Sequence, residues 1–140
     1  MAASRIQVPA NCELTLGMTC VDKSEPGRVV WRMQADERFA NPAGIVQGGF
    51  LGAMADSAMG SATITFARAR SRSVFSSNVE MKTSFLAPVR IGSLLECTAQ
   101  VISGGSRVCF CEAEIIDEPG QEPRRIVVRA SSTYLFTPRD

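Results

Sequence analysis

Between Arg38 and Arg68 the chain carries one charged side chain, Asp56, set within the stretch Asn41 to Ala67, NPAGIVQGGFLGAMADSAMGSATITFA. Few folds accommodate such a segment. It opens as a loop, because Asn41 precedes Pro42 and is pushed towards extended geometry. From about Gly48 to Phe66, Ala, Met, Leu, Phe and Ile fall on every side of a helix, with Gly and Ser between them. A helix apolar all round is buried in a protein or in a bilayer. The bilayer reading fails, because the run is barely long enough and has Asp56 near its centre. Small residues let strands come close to a helix backbone, so the expectation is a helix enclosed by a sheet. An unpaired buried charge costs several kcal/mol. Asp56 is therefore neutral, paired or in use, and the reading adopted is that it is in use.

The rest of the chain supplies the sheet. A short helix or turn is expected around Pro9 to Leu16, with Asn11 as its cap. A strand over Thr19 to Lys23, turn chemistry at SEPG (24–27) and the alternating RVVWRMQA (28–35) read as a hairpin. After the basic loop RARSR (68–72) come four alternating runs at 74–88, 94–103, 107–117 and 124–136, separated by Pro/Gly/Ser turns. Strands beside one segregated helix mean an α+β fold. The architecture expected is a curved antiparallel sheet wrapped around one long central helix, in a single domain over residues 1–140 with 1–10 loosely ordered.

Composition narrows the chemistry. The 140 residues contain no His, which removes Ser-His-Asp and Cys-His catalysis and His-ligated zinc. The net charge of +1 gives no field for nucleic acid or an anionic membrane. Five Cys without a C-x-x-C pair, and an N-terminus without an apolar core, point to reduced thiols in a cytoplasmic protein. No metal site is expected.

Gly48 and Asp56 are the chemical candidates. The N-terminus of a buried helix offers free N–H groups and a positive dipole end. Gly48 and Gly49 would let a carbonyl oxygen that turns negative in a transition state come close to them. Asp56 is a candidate base or nucleophile. Eight helical residues separate the two by roughly 12 Å, whereas a reacting carbonyl must lie about 3 Å from both donor and attacking group. One helix cannot serve both ends of the same carbonyl. A symmetric dimer, with the glycine loop of one subunit facing Asp56 of the other, would complete two equivalent sites.

The pattern N-x-x-G-x-x-Q-G-G, Asp56 seven residues after the second glycine, and then VEMKTSFLAPVRIGS resemble the hotdog-fold acyl-CoA thioesterases, most closely the phenylacetate-degradation type, over about residues 14 to 136. The resemblance implies a hotdog fold, a homodimer with interfacial sites, commonly a homotetramer, and hydrolysis of an acyl-CoA with no cofactor beyond the CoA of the substrate. It gives Asp56 the role of nucleophile or base, Gly48 that of oxyanion donor, and Asn41 that of placing the thioester and water. Ser77 or Asn78, with Asn78 preferred, would help hold the water. Gln47 stands where many relatives have His, so this position can donate a hydrogen bond but cannot transfer a proton. That departure keeps a non-catalytic acyl-CoA binder as the alternative, while hydration or dehydration is disfavoured for want of a His. Gly49, Phe50, Arg107, Arg90 and Lys82 are the candidate substrate contacts, the basic ones for CoA phosphates, with Met54 and Met59 as further pocket or core residues.

Overall fold

The computed structural model describes residues 8–139, so most of the segment expected to be loosely ordered lies outside the described residues. In chain order the elements are α1 (Asn11–Leu16), β1 (Met18–Asp22), β2 (Arg28–Gln34), a 3-10 turn at Glu37–Phe39, α2 (Gly48–Arg68), β3 (Val74–Phe85), β4 (Leu94–Gly104), β5 (Val108–Asp117) and β6 (Arg125–Pro138). The cap of α1 differs from expectation. Asn11 is the first helical residue, Ala10 is the N-cap without a side-chain bond, and Gly17 closes the helix in the left-handed conformation at φ 73°.

All six strands form one antiparallel sheet in the order β1-β2-β4-β5-β6-β3. This is the hotdog arrangement, with α2 lying on the concave face. The strand that follows the helix does not pair with its successor. β3 crosses to the far edge beside β6, and β4 returns to sit against β2. The core forms between α2 and the inward residues of the strands, among them Met33, Leu95, Cys97, Ile115 and Val127. Burial pushes the Cys97 thiol up to about 12, so it packs as a small neutral side chain. Two polar ties fix the second half of α2 on the sheet: Trp31 Nε1 donates to Ser61 Oγ at 2.9 Å, and the Gly27 N–H donates to Thr65 Oγ1 at 2.9 Å.

The enclosure of α2 is incomplete, which corrects the sequence reading. Leu51, Met54, Ala55, Ala58, Met59, Ala62 and Phe66 are buried against the sheet. Gly49, Ala53, Asp56, Ser57, Gly60 and Ile64, spaced as one helical face, are left exposed or half-buried. Met54 and Met59 are completely buried and belong to the core.

Candidate active site

The loop from Ala40 to Gln47 is built to aim the start of α2. Ala40 bridges to Val46, and Ile45 bridges to Arg90. The Gln47 N–H donates to the Phe39 carbonyl at 2.8 Å, and the Val46 N–H to the Val89 carbonyl at 3.0 Å. Asn41 folds the loop on itself: its Oδ1 accepts from the N–H groups of Ala43 at 2.9 Å and Ile45 at 3.3 Å. That oxygen is engaged in the turn, which leaves the amide nitrogen of Asn41 as the side-chain group open to another partner.

Gln47 is the N-cap of α2, with an extended backbone and no side-chain capping bond. Its carbonyl accepts from the Phe50 N–H at 3.0 Å. Gly48 and Gly49 follow in the first turn, where N–H groups have no intrahelical acceptor, and among the described residues neither meets a backbone acceptor outside the helix. Phe50 stacks on Phe39 with centroids 4.3 Å apart, tying the helix start to the preceding turn. The ring of Phe85 covers Gly48 so closely that a Cβ there would lie 3.0 Å from it. A side chain at this position would need the exposed Phe85 ring to give by a few tenths of an ångström.

Strand β3 runs alongside α2 in the opposite sense. Phe85 lies at Gly48, Met81 faces Gly52, and Asn78 reaches Asp56. Asp56 is exposed, not buried as the sequence suggested, and it has partners. Its Oδ1 accepts from the Tyr134 hydroxyl at 2.7 Å and from Asn78 Nδ2 at 2.9 Å. No donor among the described residues reaches Oδ2. Asn78 Nδ2 also lies 3.2 Å from Ser132 Oγ, while Asn78 Oδ1 is buried and faces no donor. Burial, and then the neighbouring Asp56, push the Tyr134 phenol well above its ordinary range. It therefore remains a hydrogen-bond donor wherever the carboxylate is charged.

The other predicted residues scatter. Ser77, next to Asn78 in a strand, points to the opposite face of the sheet and is exposed. Of the basic candidates, only Arg90 is brought to the loop that enters α2. Lys82 lines a shallow depression on the outer sheet face with Arg129 and Ser131. Arg107 sits in the β4–β5 turn near the other end of α2, where Arg72 donates to the neighbouring Gly105 and Ser106 carbonyls.

The family model described as the thioesterase superfamily matches residues 43–124. A human protein, acyl-coenzyme A thioesterase 13, is 23% identical over 108 residues, covering 77% of this chain and 74% of its own. Among solved structures, the E. coli PaaI protein from the phenylacetic acid degradation operon superposes with a TM-score of 0.78 at 21% identity, over 90% of this chain and 83% of its own. A hypothetical thioesterase from Streptococcus pneumoniae, solved with coenzyme A, gives 0.75 at 19% identity, with 87% of each chain covered. These likenesses are to the fold.

Proposed function

The chain belongs to the thioesterase superfamily, and from that premise we propose that it hydrolyses an acyl-CoA thioester to a free acid and CoA. The observation that carries this reading is the state of Asp56: an accessible carboxylate with one oxygen held by two neutral donors and the other open. The human relative named for acyl-CoA hydrolysis and the pneumococcal structure solved with coenzyme A support the substrate class.

Asp56 supplies the attack on the thioester carbonyl, directly or through water. In the water route it takes a proton as the oxygen adds to the carbonyl carbon. The oxyanion then collapses, the C–S bond breaks, and the proton passes to the departing CoA thiolate. In the direct route the carboxylate displaces the thiolate, and water hydrolyses the resulting anhydride. The Gly48 N–H, with the Gln47 amide beside it, stabilises the oxyanion. No cofactor is required beyond the CoA carried by the substrate.

Along α2 the two functional ends stand roughly 12 Å apart, so each site is completed across a dimer. The uncovered face of α2 and the unpaired edge of β3 support this pairing, since β3 exposes Val79, Met81 and Phe85, followed by Leu86. A panel of acyl-CoAs assayed for thiol release, with wild type and Asp56→Ala, tests the reading. Turnover by wild type alone supports it. Tight acyl-CoA binding without thiol release by wild type would instead make the protein a non-catalytic binder.

A further inference from the structure

We propose that Tyr134 is a positioning residue for Asp56, fixing the carboxylate so that Oδ2 is the oxygen presented to the reaction. The inference rests on the proposed thioesterase reading and adds a residue from the last strand to that site. An exposed Asp turns readily about its last torsion, whose energy wells are broad and roughly two-fold. Here two donors from two strands converge on the same oxygen, Tyr134 from β6 and Asn78 from β3, and these residues are direct partners in the sheet register. Rotation of the carboxylate would break both bonds at once.

The Tyr134 hydroxyl has one hydrogen and two acceptors within reach, the Asp56 carboxylate at 2.7 Å and the Asp56 carbonyl at 2.9 Å. The carbonyl sits inside the helix, where the backbone four residues on already donates to it. The charged, shorter acceptor is the stronger one, so the hydrogen goes to Oδ1. A buried tyrosine needs some partner for its hydroxyl, but that need alone would be met by the carbonyl. Tyr134 is 2% exposed, and its ring lies over the next helical turn at Gly60, where a Cβ would come within 3.8 Å of it. The phenol is thus held by core packing and the carboxylate is held by the phenol.

Tyr134→Phe removes the hydroxyl and keeps the ring. With an acyl-CoA substrate, kcat should fall roughly 10- to 100-fold, the scale of a misplaced catalytic group, with KM within about twofold of wild type. In an Asp56→Asn background the same change should add almost nothing, because the carboxylate it positions is gone. An unchanged kcat, or the same loss in both backgrounds, overturns the proposal. A second measurement needs neither turnover nor the variant's stability. Tyr134 is the one tyrosine of the chain, so 3-fluorotyrosine gives one fluorine resonance. At neutral pH that resonance should be displaced between wild type and Asp56→Asn, because the acceptor of the phenol changes from a charged to a neutral oxygen. Identical behaviour in the two proteins overturns the proposal. If wild type releases no thiol from any acyl-CoA, the proposed function fails, while the fluorine resonance still decides whether the Tyr134 hydroxyl is bonded to the Asp56 carboxylate.

Discussion

At the scale of single residues, Asp56 and Gly48 make separable predictions. Asp56→Asn keeps an acceptor for Tyr134 and Asn78 and removes the base or nucleophile. It should lower kcat by roughly 10²- to 10⁴-fold while leaving stability within about 0.5 kcal/mol, as for an exposed surface change. Thiol-release kinetics and thermal denaturation check the two halves. Gly48→Ala keeps the N–H but places a Cβ against the Phe85 ring, whereas Gly48→Pro removes the N–H at the first helical position, where proline is tolerated. Gln47 already has the extended backbone that a following proline demands. If the N–H holds the oxyanion, the proline variant should lose roughly 10²-fold or more in kcat and the alanine variant much less; equal losses would assign the effect to crowding by Phe85. Asp56 and the glycine pair were legible in the sequence because a lone charge and two adjacent glycines stand out in an apolar run. Tyr134 was not, since an aromatic residue in an alternating strand reads as core. Its signal was available only in combination: a phenol facing a helix whose single acidic side chain is Asp56.

At the scale of elements, the last strand before the sheet's free edge is the informative one. Among the described residues β3 pairs with β6 on one side and with no strand on the other, and a bulge between Asn78 and Glu80 leaves Val79 outside the ladder, 58% exposed. An exposed apolar edge is a template for pairing, and in the proposed dimer a second copy covers it. Val79→Asp should therefore yield a folded monomer with little activity. Burying an unpaired carboxylate in an apolar contact costs several kcal/mol, whereas in an isolated subunit that side chain would simply meet water. Sedimentation, circular dichroism and thiol release should move together in that pattern; an active, dimeric Val79→Asp protein would place the interface elsewhere. Period-two alternation located β2 to β6, because inward and outward residues differ in burial within each run, while β1 was legible from the turn chemistry that joins it to β2. It did not reveal that β3 crosses to the far edge, since partner choice depends on contacts distant in sequence. Nor did it show the uncovered face of α2. Gly49, Ala53, Gly60 and Ile64 have the same apolar composition as the covered faces, and only the extent of the sheet distinguishes them.

At the scale of the whole molecule, the question is whether one chain holds a complete site. The proposed oxyanion donors lie at the start of α2 and the Asp56 carboxylate lies two turns on, on the face the sheet leaves open. A two-fold axis that sets α2 against a second α2 running the opposite way would bring the Gly48 end of one to Asp56 of the other, twice over. Asp56→Asn and Gly48→Pro should each be inactive alone. Mixed in equal amounts and allowed to exchange, they form heterodimers in which one site has both lesions and the other has none. Random exchange makes half the dimers mixed, and half of the sites in those are intact, so the mixture should recover about a quarter of wild-type activity. The recovery should appear at the rate of subunit exchange and vanish when either variant also carries Val79→Asp. If each subunit instead holds a complete site, the mixture stays as inactive as its components. Complementation therefore tests the geometry of the assembly independently of which acyl group the enzyme prefers.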